Sequence, residues 1–485
     1  MFKRNRIAFF LVIVLMAAFS GCTKKWEDHD GITDAALNNT LMQAIAHTPN
    51  LTKFSELMVK SGYDKIIGSS KTYTVWAPTD QALQTLDPSI VNDSARLKRF
   101  VGNHIANQSY LSGSAVADQR IQMLNGKFVV MSGSKFDSAN IVSSNAYANN
   151  GVVHVIDKFI PAMDNIWEFV NSTTVSPLMK GFLLSLTRKV FDPSKATQIG
   201  VNPTTGLPIY DTSTGLVSRN AFLDSVVNVS DESNQYTLIL LADNAYTAEF
   251  NKLTPWFKTG TADSTNRLSA FWLVKDLAFK GVYTASQLPD TIVSQFGVKV
   301  PINKSAITAS YRTSNGIVHV MSQVNFNLKD KFPPIYIQGE RPTAFYLDRT
   351  ANTFYRTRYN PLTGSNFNDI MMTNYNVANY YIRYLLRGVN SMRYNAYWVA
   401  VNDLQTTPLW QQRLGYSFVR NDSLIVSLLP AVTIQYNNFS EVPLGQFTFS
   451  TFSDQNFYVY GPTTASTASN NNAITLDYIK LEPAF

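Results

Sequence analysis

The stretch Asn150-Gly151-Val152-Val153-His154-Val155-Ile156-Asp157 returns as Asn315-Gly316-Ile317-Val318-His319-Val320-Met321-Ser322, 165 residues further on. A glycine opens each copy, where a turn needs positive φ without steric cost. A β-branched run follows, in the pattern of a strand covered on both faces. One such run is a generic strand. Two of them imply that the chain contains a duplicated domain.

A second landmark repeats in the same order. Tyr73-Thr74-Val75-Trp76-Ala77-Pro78-Thr79-Asp80-Gln81-Ala82 reads as a strand running into a helix start, and Tyr236-Thr237-Leu238-Ile239-Leu240-Leu241-Ala242-Asp243-Asn244-Ala245 echoes it. Asp80 precedes Asn150 by 70 residues, and Asp243 precedes Asn315 by 72. These landmarks resemble the two signature boxes of the fasciclin (FAS1) family. In the first copy Thr74, Ala77, Pro78, Thr79 and Asp80 fall on one box, and Asn150, Gly151, His154 and Asp157 on the other. The second copy keeps Asn315, Gly316 and His319 but carries Leu240-Leu241-Ala242 in place of Ala-Pro-Thr, so it is divergent. The resemblance covers residues 33–328 and implies two α+β fasciclin-like domains, at 33–165 and 166–330. A Tyr-His pair linked to adhesion in animal members of the family is half lost here, as Asn103-His104, and that activity is not carried over.

Within the first repeat, Leu37, Leu41 and Ile45 form one helical stripe, and Thr52 is the expected N-cap of a helix bearing Phe54, Leu57 and Met58 and ending at Gly62. Asp80 is expected to cap a helix through Ala82 and Leu83. Leu124-Asn125-Gly126-Lys127-Phe128 reads as a hairpin turn. The second repeat differs by a long insertion at 192–235. There Ile209-Tyr210 and Leu216-Val217, flanking Thr212-Ser213-Thr214-Gly215, suggest a hairpin.

Phe332-Pro333-Pro334 reads as a linker. Beyond it 15 of the chain's 24 tyrosines lie in residues 336–485, and Lys480 is the lone lysine there. Short strand-like runs separated by polar turns predict an all-β sandwich over 335–485. The runs are Ala344–Leu347, Tyr380–Leu385, Tyr397–Val401, Leu424–Leu429, Val432–Tyr436 and Phe447–Phe452. The ending Ile474-Thr475-Leu476-Asp477-Tyr478-Ile479-Lys480-Leu481 resembles the closing strand of jelly-roll, galactose-binding-like domains, and its alternation slips at Tyr478, as at a bulge.

The N-terminus places Lys3, Arg4 and Arg6 before the 12-residue apolar run Ile7–Ala18, which suits a signal segment and is too short to span a bilayer. Phe19-Ser20-Gly21-Cys22 then resembles a bacterial lipobox, with Phe19 in place of the usual leucine. Residues 1–21 are accordingly read as a lipoprotein signal peptide, Cys22 as the lipidated residue and 22–32 as a tether. The acidic cluster Glu27-Asp28-His29-Asp30 resembles the export tag of Bacteroidota-type surface lipoproteins, which implies an outer-membrane anchor facing the exterior. Cys22 is the single cysteine, so an intrachain disulfide is excluded.

Removing the three leader cations leaves 38 basic against 34 acidic residues. That balance, without a basic block, gives no argument for nucleic acid. The five histidines, His29, His47, His104, His154 and His319, do not fall at metal-ligand spacing, and no nucleophile, zinc or phosphate-loop motif is present. No catalytic residue, cofactor or metal is therefore assigned. His154 and His319 are read as buried, hydrogen-bonded structural residues. The aromatic enrichment of the third region has two readings, sandwich core or a sugar-stacking platform, with Tyr397, Trp398, Trp410 and Tyr416 as platform candidates.

The favoured function is a non-enzymatic surface lipoprotein whose fasciclin repeats act as adhesive or spacer modules presenting the sandwich for glycan capture. Its expected partners are the membrane, through lipid, and a glycan or an outer-membrane nutrient-uptake complex. The alternative is an adhesion protein that binds a protein through its fasciclin repeats, with a purely structural sandwich.

Overall fold

The structure is a computed structural model describing residues 35–69, 71–113, 118–375, 377–404, 410–418, 427–463 and 473–485. The signal segment, Cys22, the 22–32 tether and the 424–426 part of one expected strand lie outside the described residues. The chain divides into two compact units. One holds the first repeat to Phe169 with Val229–Gln235 and Arg312–Gly316; the other holds Val170–Asn228, Tyr236–Tyr311 and Ile317–Phe485.

In the first unit a seven-stranded sheet runs in the order Ile105–Asn107, Tyr73–Pro78, Gly151–Ile156, Ala139–Ala148, Lys135–Phe136, Phe128–Ser132, Gln119–Gln122. The two recognised stretches are its centre. Tyr73–Pro78 pairs in parallel with Gly151–Ile156, Tyr73 opposite Gly151 and Pro78 opposite Ile156. Both strands are buried nearly throughout, as a doubly covered strand requires. Alternation sends Val75 and Ala77 into the layer of helices, against Phe54, Met58, Leu97 and Val101. It sends Trp76 to the other face, where its ring stacks on Phe136 at 4.4 Å.

Helix ends in this unit are tied by side chains. Thr40 and Gln43 form a capping box at Leu41–His47, and Asp93 accepts from Ala95 and Arg96 at the start of Ser94–Gly102. Two expectations about caps are corrected. Thr52 is the first residue of its helix rather than the cap. Asp80 does not cap the turn that follows it; its carboxylate accepts the Lys53 amide at 2.8 Å, at the start of Thr52–Ser61. The local cap over Ala82 is Thr79 instead, at 3.1 Å. The expected hairpin at Gly126 is present, with φ +86° and Gln122 opposite Phe128.

In the second repeat a four-stranded sheet runs Ala278–Lys280, Tyr236–Leu241, Gly316–Met321, Ile307–Thr313. The inserted segment is ordered as two ribbons, which corrects the single hairpin expected over 209–217. Leu216–Asn220 pairs with Thr187–Phe191, and Pro208–Tyr210 pairs with Gln198–Val201. The reason is the inner turn. Asn202 accepts from Thr204 and Thr205, and Gly206 takes φ +70°, so the chain reverses there and Ile209 returns toward Gly200.

The C-terminal part of the second unit is mostly β. Ile335–Gln338, Tyr478–Ala484, Arg393–Val399 and Val442–Thr448 form one antiparallel sheet. Ala344–Phe345, Tyr381–Val389, Ser453–Tyr460, Gln411–Phe418 and Ser427–Leu428 form a second, with Val432–Thr433 on Gln411–Phe418. Thr353–Asn360, Ser365–Thr373 and Ala473–Leu476 form a third. Tyr416 packs against Phe447 and Phe449 at 4.9 and 4.8 Å, which joins the first two sheets into a sandwich core. The slip expected at Tyr478 is a change of sheet. Up to Leu476 the chain pairs with Ser365–Thr373, and from Tyr478 it pairs with Arg393–Val399. Asp477 sits between, donating to the Val399 carbonyl at 2.8 Å and accepting from Gly339 at 2.6 Å.

Phe332-Pro333-Pro334 is not a free linker. Phe332 is buried among Trp256, Phe257 and Phe485, at 6.3, 5.7 and 6.3 Å between ring centres. Lys331, immediately before it, is fully buried on Asp276.

Candidate functional site

The box residues hold their repeats together by one recurring set of hydrogen bonds. Asn150 accepts the Leu41 amide at 2.9 Å and donates to Ile67 O at 2.6 Å. Asn315 accepts the Ile166 amide at 2.9 Å and donates to Val229 O at 2.9 Å. Thr74 donates to Gln108 O and accepts the Tyr110 amide, both at 2.8 Å. Thr237 donates to Gly281 O at 2.9 Å and accepts the Tyr283 amide at 3.0 Å. Asp243 caps Pro177–Ser185 through the Leu178 amide at 3.1 Å, as Asp80 caps Thr52–Ser61. Even where Leu240-Leu241-Ala242 replaces Ala77-Pro78-Thr79 the backbone bond survives, with Thr79 N–H on Ile156 O at 3.1 Å and Ala242 N–H on Met321 O at 2.9 Å. Asp157 accepts from Asn140 at 2.8 and 2.7 Å; burial pushes its pKa up, but those bonds and Lys158 outweigh it and hold the carboxyl low.

The histidines serve the same scaffold. His154 Nε2 lies 2.8 Å from Tyr110 O and its Nδ1 accepts the Asn145 amide, so the ring is neutral with the proton on Nε2. Burial lowers its pKa. His319 Nε2 meets Tyr283 O at 2.8 Å and its Nδ1 meets Ser310 at 2.8 Å. His104 has the other tautomer, with Nδ1 toward Phe100 O and Nε2 accepting the Ile160 amide, and burial pushes its pKa down to about 4. Each ring is spent on its own fold. Among the described residues, no three His, Cys, Asp or Glu side chains converge on a metal-sized site.

The expected sugar-stacking aromatics are corrected. Trp398 and Trp410 are 0% exposed, and Tyr416 is buried in the ring cluster of the sandwich core. Tyr397 is half-buried under the Lys480 ammonium, 5.1 Å from the ring centre. Inward alternation puts Trp398 beside Tyr394 and Ala396 on the core face of its strand.

The two most exposed aromatics among the described residues lie on the Thr353–Asn360 strand, which the sequence reading did not single out. Tyr355 and Tyr359 are 59% and 61% exposed on one face, with Thr357 between them. At about 3.3 Å per residue they stand roughly 13 Å apart. On the paired strand Asn368 lies opposite Thr357 and Asn366 opposite Tyr359, both exposed. Thr357 donates to Asn368 at 2.8 Å, and neither tyrosine hydroxyl has a protein partner among the described residues.

The other face of this strand is locked by charge. Asp369 accepts from Arg356 at 2.9 and 2.6 Å and from Arg358 at 3.0 Å. Asp403 takes the remaining Arg356 donor at 3.1 Å. Burial lowers the Arg356 pKa, but the bonds and charges of Asp369 and Asp403 outweigh it and raise the pKa overall. Nearby, burial and the charges of Asp369 and Glu340 push Asp477 up to about 7. A face stiffened from behind, with two aromatic rings flanking an amide and a hydroxyl, suits a polar ring-shaped ligand. The signal was present in the sequence as Tyr355-x-Thr357-x-Tyr359 interleaved with Arg356-x-Arg358, one strand carrying two chemistries.

Residues 49–162 match the sequence model of the fasciclin domain. Among solved structures, the chain resembles a FAS1 domain pair from the insect cell adhesion molecule fasciclin I. The identity is 13%, over 58% of this chain and 99% of that one, with a TM-score of 0.23. It also resembles a carbohydrate-binding module of Cellvibrio mixtus lichenase 5A, at 11% identity over 31% of this chain and 98% of that one, TM-score 0.20. A third likeness is the GH26-CBM35 mannanase of Podospora anserina, at 14% identity over 31% of this chain and 28% of that one, TM-score 0.21.

Proposed function

We propose that this chain is a non-enzymatic, lipid-anchored surface protein in which two fasciclin repeats carry a C-terminal β-sandwich that captures glycan. The reading of the second repeat as a fasciclin domain is supported by the recurring Asn, Thr, His and Asp hydrogen bonds. The glycan reading rests on the Tyr355–Tyr359 face. Two rings that far apart exceed one pyranose, so the ligand is an extended oligosaccharide, its apolar sugar faces on the rings and its hydroxyls on Asn366 and Asn368. Each stacking contact contributes about 1–3 kcal/mol, by analogy with base–aromatic stacking.

A glycan array probed with the full chain tests this. Tyr355→Ala with Tyr359→Ala is expected to weaken the strongest signal at least about tenfold, with the melting temperature unchanged, since both side chains are exposed. Undiminished binding by the double variant would overturn the site. A folded chain silent on the array favours the protein-partner reading. The apolar ribbon of the second repeat, where Ile199, Val201, Leu207 and Ile209 are all exposed, supports that alternative.

Anchoring rests on Cys22 and the segment before it, and an outer-membrane, exterior-facing position with an uptake complex as partner belongs to the same proposal. Cys22→Ser is expected to shift the protein from the membrane pellet to the soluble fraction and to abolish palmitate labelling. A wild-type protein that takes up no label would refute it.

A further inference from the structure

We infer that the second repeat holds a binding site for a small aromatic zwitterion of the free aromatic amino acid type, in the cleft between the helices Pro177–Ser185, Asp243–Leu253 and Ala262–Val274. The cleft is open to solvent and offers about 600 Å³, within the range of small-molecule sites. It lies apart from the tyrosine face and is independent of the glycan proposal.

Its wall is aromatic. Phe182, Tyr246 and Phe250 line it, and the Tyr246 and Phe250 rings lie nearly parallel, 12° apart with centres at 6.2 Å. A flat apolar body lies against such a surface with offset stacking. Tyr246 is only 8% exposed, yet its hydroxyl has no protein partner among the described residues. The hydroxyl oxygen itself reaches solvent, so this donor is open to a ligand in the cleft. Burial pushes the Tyr246 pKa up to about 12, so the hydroxyl keeps its proton.

The rim carries one charge of each sign. Arg267 and Asp263 both line the cleft, one turn apart on Ala262–Val274. Neither makes an ion pair or a side-chain hydrogen bond among the described residues. A guanidinium and a carboxylate held beside one aromatic wall complement a carboxylate and an ammonium on one small molecule. A plain anion would meet Asp263, and a plain cation would meet Arg267, so the pair selects for both groups together.

Calorimetric titration of the full chain with L-tryptophan and L-phenylalanine tests the site. Saturable binding is expected, about tenfold tighter than that of phenylacetate, which lacks the ammonium, or phenethylamine, which lacks the carboxylate. Arg267→Gln should remove the preference over phenethylamine, and Asp263→Asn the preference over phenylacetate. Both residues are exposed, so the fold is untouched. Tyr246→Phe should weaken L-tryptophan binding without changing that selectivity. The inference fails if the wild type shows no saturable binding at millimolar concentrations. It fails equally if the two single-charge compounds bind as tightly as the amino acids, or if Arg267→Gln and Asp263→Asn leave the preferences intact.

Discussion

Gly151→Val is expected to destabilise the first unit severely. Gly151 takes φ +151°, and a Cβ built on it would lie 1.9 Å from the Tyr73 carbonyl oxygen and 2.9 Å from Leu41 Cδ1. The obstructing oxygen is backbone, in the residue opposite Gly151 in the central parallel pair. Relief therefore requires separating the two strands around which both faces of the sheet are built. Valine adds strain at a φ that β-branched residues avoid. A cost above about 4 kcal/mol is expected, against a typical domain stability of about 5–15 kcal/mol. Denaturant unfolding of the full chain, followed by circular dichroism, checks this, with Gly181→Ala as control. Gly181 has open space around it and lies inside a helix, where alanine is favoured. A Gly151→Val protein that unfolds like the wild type would show that the Tyr73–Gly151 approach is not a constraint.

The second large effect lies at Lys331. Both Lys331 and Asp276 side chains are fully buried and paired with each other. Asp276 also accepts from Ser294 at 2.6 Å and lies 3.6 Å from the Lys275 ammonium, while Lys331 also donates to the Trp272 carbonyl. Burial pushes Lys331 down to about 8, with the Asp276 charge opposing that shift. Lys331→Met leaves Asp276 with the more distant Lys275 as its remaining cation, and Asp276→Leu leaves an ammonium without its counter-ion. Each is expected to cost about 3–5 kcal/mol. The double variant replaces the pair by apolar groups of similar size and should regain most of the loss. A double-mutant cycle in guanidinium measures the coupling, and additive losses would mean that the pair acts as two independent contacts. Lys331 directly precedes Phe332, so the single variants should also loosen the packing of Phe332 on Trp256 and Phe485.

The recurrence of the two boxes was legible because the box residues act through backbone geometry. An Asn that ties two segments, a Gly at positive φ and a His bonded to a carbonyl leave few substitutes, so they recur at fixed spacing. Asp80 was misread because the amide it accepts, that of Lys53, lies 27 residues earlier, and a cap contributed across the fold leaves no local pattern. Trp398 and Trp410 were misplaced because composition identifies aromatics, whereas exposure depends on which sheet faces which. The Tyr355–Tyr359 strand was not singled out, because nothing local says which way its arginines face. In the fold they pair inward with Asp369 and leave the tyrosines outside.

The most direct test of glycan capture is a crystal structure of the full chain with the oligosaccharide selected on the array. Sugar rings are expected over both Tyr355 and Tyr359, with hydroxyls on Asn366 and Asn368 and the Arg356–Asp369 pairing unchanged behind them. An oligosaccharide bound elsewhere, with both tyrosine faces bare, would contradict it.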